Sequence, residues 1–248
     1  METKEYEIMD RIEHDHFWFV AKRKYLSVVL DKYFSQGGKM LDVGCGTGAV
    51  MEFLKSRGEV EGVDMSETAL NYCRQKNLKV EKGLANEMPY SQNTFDAVFA
   101  LDVLEHLDNP VGAVKEASRV LKDGGLFFAT VPAHQWLWSP HDVSMHHKKR
   151  YAKQDFAQLF AGEFDILALS WIHAFILLPA MAVRLIRNLL NNKSNSSDVK
   201  ESSAVINKIM SLLYFIEISI FKVFYSLPFG LSLLVVAKKK SSGEVAKS

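Results

Sequence analysis

The sequence has little cysteine and almost no net charge. Only 2 of its 248 residues are cysteine, too few for a disulfide framework or a zinc site, which indicates a reducing, cytoplasmic location. The first residues are charged and lack the apolar core of a signal peptide. The 30 Lys and Arg nearly match the 29 Asp and Glu. Because such a chain has no field to attract a polyanion, we expect no nucleic acid among its partners.

The sequence also lacks an uninterrupted apolar run of the length that crosses a membrane, about 20 residues. Its two most apolar segments, Ala174 to Leu190 and Val205 to Tyr225, are interrupted by charges such as Arg184 and Glu217. They are predicted to be amphipathic helices. Residues 174–225 could then make a peripheral membrane contact, cover the rest of the fold or form a homodimer contact, and the sequence leaves these interpretations open.

A glycine-rich loop follows the first apolar strand. Gly44, Gly46 and Gly48 alternate with other residues directly after Met40-Leu41-Asp42-Val43, a pattern that lets backbone and ligand approach closely. A second strand ends at Asp64, about 20 residues later, where an acid would bind a ribose hydroxyl. Since Ala49 also satisfies the looser dinucleotide pattern, the loop alone fits both NAD and S-adenosylmethionine.

Strand and helix patterns alternate from Lys39 to Val131, which predicts an α/β fold with a parallel sheet and helices on both faces. Ahead of this core, mixed three- and four-residue spacing of apolar residues predicts helical structure from Tyr6 to Phe34. A fifth strand is predicted at Leu126 to Val131, and a sixth at Phe164 to Trp171. Ligands of such sheets bind at the carboxyl ends of the strands.

Two further segments make the pattern more specific. Asn93 to Leu107 and Arg119 to Phe128, in order after the glycine loop, resemble the fourth- and fifth-strand motifs of class I S-adenosylmethionine-dependent methyltransferases, of the type that includes quinone and small-molecule methyltransferases. The resemblance implies a Rossmann-like, doubly wound, mostly parallel seven-stranded sheet. Here an α-helical insertion would separate the sixth strand from the seventh, for which Ser232 to Lys238 is the best candidate.

The expected organisation has four parts. Residues 1–38 form an N-terminal helical lid and residues 39–172 the Rossmann-like core that binds S-adenosylmethionine. Residues 173–229 form the apolar helical insertion, and residues 230–248 contain the final strand and tail.

The resemblance also implies a set of cofactor-binding residues. Asp42, Gly44, Gly46 and Gly48 would cradle the methionine end of S-adenosylmethionine, Asp64 would bind the ribose, and Met65 would pack on the adenine. Leu101 would offer a backbone carbonyl to the ligand's amino group. Asp102 would serve the same end, or else cap the following helix. Many relatives have an acid where this chain has Leu84; here Leu84 would pack on the ring and the amide of Ala85 would donate to it.

The segment after the fifth strand is rich in histidine and tryptophan. His141, His146 and His147 are the candidate general bases, because histidine can accept a proton near neutral pH. Trp136 and Trp138 could form a flat wall for the acceptor. Adjacent histidines cannot easily turn to one ion, so no metal site is predicted.

These features together predict an S-adenosylmethionine-dependent methyltransferase acting on a small-molecule or lipid-linked acceptor, with O-methylation favoured by the histidines. Two alternatives stay open. One is an NAD-dependent oxidoreductase. The other is a non-catalytic cofactor-binding module that the helical insertion recruits to a membrane or partner.

Overall fold

The computed structural model describes residues 3–177, 181 and 203–241. They contain a seven-stranded sheet whose strands are β1 (Gly38–Val43), β2 (Gly58–Asp64), β3 (Lys79–Lys82), β4 (Phe95–Leu101), β5 (Leu121–Pro132), β6 (Phe164–Ile172) and β7 (Ser232–Lys239). The helices are α1 (Thr3–Ile12), α2 (Phe17–Tyr33), α3 (Ala49–Leu54), α4 (Glu67–Gln75), α5 (Pro110–Val120), α6 (Pro140–Ser144), α7 (Lys153–Gln158) and α8 (Ala204–Phe224).

The strand order is β3-β2-β1-β4-β5-β7-β6. The first five strands pair in parallel, and β7 runs antiparallel between β5 and β6. This confirms the predicted doubly wound sheet with its antiparallel last strand. Consequently the carboxyl ends of all strands except β7 lie along one edge of the sheet, which is where ligands of this architecture bind.

The segment from Tyr6 to Phe34 is helical as predicted, except that the chain turns between α1 and α2. The Arg23 guanidinium holds this turn by donating to the backbone oxygens of Glu13, at 2.6 Å, and His14, at 2.7 Å. The His16 side chain then caps α2 by accepting from the Trp18 amide at 3.3 Å. Apolar spacing did not reveal this turn, because the side chain that holds it, Arg23, lies further along the chain in α2.

The fifth strand is longer than the predicted Leu126 to Val131. It begins at Leu121, directly where α5 ends, and its start pairs with Phe95 across an irregularity in the β4–β5 register. The polar residues from Lys122 to Gly125 look like a loop in sequence. In the sheet Lys122 and Asp123 are the exposed beginning of a strand whose residues 125–131 are buried.

The sheet separates two apolar layers. On one face, α2 and α8 pack around Tyr25 and Phe221; on the other, the large core residues include Phe127 and Phe160. These two layers hold the sheet in place, so the loops at the carboxyl ends of its strands extend from a rigid scaffold.

The second apolar segment forms α8, as predicted. Tyr214, Glu217 and Phe221 face inward, and Asn207 ties the helix to α2 by accepting from the Phe17 amide at 2.7 Å. The first apolar segment, Ala174 to Leu190, lies mostly outside the described residues. Among the described helices, none combines the length and apolar character needed to cross a membrane.

Candidate active site

The glycine loop joins β1 to α3 at the carboxyl edge of the sheet. Gly44, Gly46 and Gly48 have φ angles of +68°, +54° and +96°, a region that disfavours residues with a Cβ. Packing adds a second requirement, because a Cβ on Gly44 would lie 2.7 Å from Val103 and one on Gly48 would lie 2.4 Å from Leu78. The loop therefore presents backbone rather than side chains.

Helix α1 and the turn after it lie against this loop. A Cβ on Gly46 would be 3.4 Å from the Met9 methyl group. The Thr47 hydroxyl donates to Glu13 at 2.6 Å, and Lys76 donates to Glu13 at 3.3 Å. The N-terminal segment is thus tied to the loop by buried polar contacts, as a cover that excludes water would be.

Two aspartates flank the loop. Asp64, at the end of β2, accepts from the Gly46 amide at 3.0 Å and from the Ser66 amide at 2.8 Å. Asp42, in β1, is 3% exposed, and its Oδ2 has no hydrogen-bond partner among the described residues. A buried carboxylate oxygen without a partner is costly, so this atom marks a place where a ligand's donor or positive charge would be stabilising.

The three carboxyl groups around the loop affect one another. Burial, followed by the neighbouring Asp64 and Glu13, raises the pKa of Asp42 to about 8. Burial also raises the pKa of Asp64 and of Glu13. Three acids beside a glycine loop fit S-adenosylmethionine. The acids can stabilise the sulfonium and ammonium groups of that cofactor, and the glycines let it approach the backbone.

The predicted adenine side of the site contains two exposed apolar side chains. Met65 is 67% exposed and Leu84 is 45% exposed. They are held near each other because the Gly83 amide donates to the Asp64 carbonyl at 3.2 Å. Leu84 is also bridged to Glu87, so Ala85 lies in a tight turn. Their role on the adenine ring stays a prediction.

The end of β4 carries Leu101 and Asp102. Asp102 has a φ of +58°, and its carboxylate accepts from the Thr130 hydroxyl at 2.8 Å and pairs with Lys22 of α2. Burial alone would raise the pKa of Asp102, but the Lys22 ammonium and the Thr130 hydrogen bond outweigh it and lower this pKa. The carboxylate therefore joins the N-terminal segment to the centre of the sheet edge.

The three candidate bases occupy different environments. His146 has a φ of +57° and is exposed, whereas His141 is half-buried in α6. The His147 side chain is 8% exposed and its Nδ1 lies 2.9 Å from Oδ1 of Asp142. This contact with a buried carboxylate orients the His147 ring.

Asp142 is the centre of this arrangement and is fully buried. Arg150 Nε donates to it at 2.7 Å, and the Ser139 amide donates at 2.9 Å. Burial would raise the pKa of Asp142, but His147, Arg150 and Ser139 together lower it well below its usual value. Because the ionised carboxylate can only accept, Nδ1–H of His147 donates to it. In the neutral ring the free lone pair is then on Nε2, which can accept a proton.

The His147 ring lies beside the turn after β4. The centroid of the His106 ring lies 4.8 Å from that of His147. Burial, followed by the neighbouring His147, lowers the pKa of His106 to about 4. Glu105 is fully buried with both carboxylate oxygens unpartnered among the described residues. Glu105, His106 and His147 hold potential ligand atoms within 4.8 Å of one another, the geometry of a group that could hold a metal ion.

Sequence reasoning missed His173, which follows β6 directly. It is fully buried with a φ of +62°, its Nδ1 lies 2.8 Å from the Tyr214 hydroxyl, and its ring stacks on Trp18 at 4.1 Å. Burial, followed by the charge of Lys22, lowers its pKa to about 3, so the ring is neutral. Its position directly after a strand end was the available signal.

Comparison with known proteins places the core in a family. Residues 41–129 match the methyltransferase domain family. A ubiquinone biosynthesis O-methyltransferase of Alkalilimnicola ehrlichii is 39% identical over 109 residues, 39% of this chain and 42% of that protein. A demethylmenaquinone methyltransferase of Staphylococcus aureus is 39% identical over 108 residues, 40% of this chain and 45% of that protein. The matched segments therefore span less than half of these relatives.

The fold is shared over a longer stretch. The solved structure of an S-adenosylmethionine-dependent methyltransferase from Thermotoga maritima superimposes with a TM-score of 0.56 over 95% of this chain and 99% of that chain, at 21% identity. The segment 41–129 is therefore similar to the methyltransferase domain family, and the fold is similar to that of S-adenosylmethionine-dependent methyltransferases.

Proposed function

We propose that the protein transfers a methyl group from S-adenosylmethionine to a hydroxyl of a small or lipid-linked acceptor, of the quinone-ring type, at a membrane surface. The observation that carries the chemistry is the buried Asp142–His147 pair beside the end of β4. The names of the two relatives support a quinone-type acceptor, one through O-methylation. The NAD alternative loses support because the matches lie with methyltransferases.

The residues divide the work between donor and acceptor. Asp42, the glycine loop and Asp64 would hold the cofactor, which when bound supplies an electrophilic methyl group. His147 would take the proton of the acceptor hydroxyl on Nε2, and Asp142 would stabilise the resulting imidazolium without moving. Because His147 would remove the proton during methyl transfer, the acceptor hydroxyl does not have to be ionised before it binds.

His147→Gln is expected to lower kcat by about a hundredfold or more, the usual contribution of a general base, with KM for S-adenosylmethionine nearly unchanged. His146→Gln is the matched control, since it changes an exposed neighbour and should retain activity. The assay follows label from S-adenosylmethionine into hydroxylated quinones and catechols, with NADH oxidation measured in parallel.

Equal activities of the two variants would exclude His147 as the base. Saturable binding of S-adenosylmethionine with no transfer to any acceptor of the panel would favour the non-catalytic module instead.

The membrane part of the proposal rests on the outer face of α8. Large apolar residues on it stay exposed, including Val223 and Phe224, each 70% exposed, and Leu212, 62% exposed. The helix carries exposed Lys208 and Lys222 and has its single acid, Glu217, buried. An apolar face bordered by lysines suits an interface with anionic lipid, where the lysines can reach headgroups.

Leu212→Glu is expected to reduce binding to phosphatidylglycerol vesicles about tenfold or more, because it removes about 2 kcal/mol of apolar burial and adds charge repulsion. Leu167→Glu is the matched control, as it makes the same change at an exposed leucine of β6. Flotation of full-length protein measures the binding. A dimer in solution that Leu212→Glu dissociates, with no vesicle binding by either form, would instead assign this face to a second copy.

A further inference from the structure

A cleft of about 590 Å³ lies at the carboxyl ends of β5 and β6, away from the glycine loop. Three basic residues, Lys149, Arg150 and Lys153, and the aromatic rings of His134, Trp136 and Trp171 line it. Its volume falls in the range of about 300–1,000 Å³ that small-molecule sites occupy. The methyl-transfer chemistry described above uses none of these rings.

The three rings form an aromatic wall of the cleft, in which His134 and Trp171 are held by specific contacts. His134 stacks on Trp171 with ring centroids 4.6 Å apart and an interplanar angle of 4°. Its Nε2 lies 3.0 Å from the Gly230 carbonyl oxygen, and its φ is +63°. A non-glycine residue in this backbone region costs free energy that the surrounding contacts must offset. Trp136 stands beside this pair, 5.3 Å from the His134 ring, and is 62% exposed.

The charge of the cleft is positive. Arg150 is already paired with the buried Asp142. Lys149 lies 4.4 Å from the Tyr151 ring centroid, and neither it nor Lys153 has a carboxylate partner within the described part of the chain. Asp155 is the lone acid on the lining. Two lysines facing one carboxylate leave a net positive charge next to a flat wall.

We propose that this cleft binds a flat anionic group, an arene bearing a phosphate or carboxylate, as the part of the methyl acceptor remote from the methylated hydroxyl. This assignment rests on the proposed function. Neighbouring strands are about 4.8 Å apart, so the ends of β5 and β6 lie one and three strand spacings from the end of β4. A bound acceptor would then place its anion about 5–15 Å from its reacting oxygen.

Calorimetric titration of the full-length protein with phenyl phosphate, benzoate and inorganic phosphate tests the cleft without any acceptor. We expect saturable binding of phenyl phosphate, tighter than that of inorganic phosphate because the ring packs on the wall. Benzoate shows whether a carboxylate is accepted in place of a phosphate. Trp136→Ala should weaken phenyl phosphate more than inorganic phosphate.

Lys149→Gln and Lys153→Gln should each weaken phenyl phosphate about tenfold, the usual effect of losing one charge-assisted contact. Lys148→Gln is the matched control, since this exposed lysine pairs with Asp108 at 3.0 Å and lies outside the cleft lining. The proposal is overturned if phenyl phosphate shows no saturable binding, or if Lys148→Gln weakens it as much as the other two changes.

Binding at the cleft and binding at the cofactor site can be tested independently. Asp64→Asn should weaken S-adenosylmethionine while leaving phenyl phosphate binding unchanged. Phenyl phosphate binding without S-adenosylmethionine binding would support the cleft and reject the proposed methyl transfer. The reverse result would reject the cleft and retain the methyl transfer.

Discussion

Asp42→Asn is expected to stabilise the ligand-free protein at neutral pH and to weaken S-adenosylmethionine binding at least tenfold. Asp42 is buried beside two other acids, and its Oδ2 has no partner among the described residues. The uncharged amide removes the cost of keeping this acid in the fold. It also removes the negative charge that would stabilise a cationic ligand.

The pH dependence follows from the direction of the shift. Burial, followed by the neighbouring Asp64 and Glu13, raises the pKa of Asp42 from 3.8 to about 8. Between these pH values the folded state holds a proton that the unfolded chain has released. The free energy of unfolding therefore falls as pH rises from about 4 to about 8. In Asp42→Asn this part of the slope disappears, and the gain in stability at pH 7 is expected to be about 2–4 kcal/mol.

The affinity for S-adenosylmethionine should also depend on pH through the ionisation of Asp42. A cationic ligand favours the carboxylate, so affinity should rise between pH 6 and pH 8 and binding at pH 7 should release a proton. Calorimetry in buffers of different ionisation enthalpy measures that release, which Asp42→Asn should abolish. Asp108→Asn, at an exposed acid paired with Lys148, is the control. If Asp42→Asn lowers stability and binds S-adenosylmethionine normally, Asp42 is a structural acid and does not belong to the cradle.

The donor half of this site could be predicted from sequence because its signals are local. A strand, alternating glycines and a second strand ending in an acid are adjacent in the chain, and each β–loop–α unit places them at the same sheet edge. The motifs of β4 and β5 add order and spacing. Seven strands and their topology follow from that resemblance, and the structure agrees with them.

The acceptor half depends on contacts between distant residues, which no local pattern reveals. His147 meets Asp142 because the loop turns through His146 at a φ of +57°. Lys22 reaches Asp102 from a helix 80 residues earlier, and Trp18 stacks on His173. Sequence reasoning named three equivalent histidines here, since their burial and partners are set only when the loop packs against the turn after β4.

Glu217→Ala is the second change with a large expected effect, a loss of about 3–5 kcal/mol in the free energy of unfolding. Glu217 is 1% exposed. Its carboxylate accepts from the Tyr25 hydroxyl of α2 and from the amides of Ala174 and Phe175, at 2.7 and 2.9 Å. Truncation would leave the buried Tyr25 hydroxyl, the buried Ala174 amide and the half-buried Phe175 amide without an acceptor. Burial, followed by Glu217, raises the pKa of Tyr25, so that hydroxyl remains a donor throughout the usable pH range.

Urea unfolding followed by circular dichroism measures the loss. Lys222→Ala, an exposed change on the same helix, should stay within about 0.5 kcal/mol of the parent. Glu217→Gln keeps one acceptor oxygen and should fall between the two. A loss below about 1 kcal/mol in Glu217→Ala would mean that water or rearrangement satisfies the three donors. A large loss would instead show that one carboxylate fixes α8 to α2, whose Lys22 pairs with Asp102 at the site. Helix α2 would then connect α8, whose outer face is proposed to bind the membrane, to the sheet edge that is proposed to bind the cofactor.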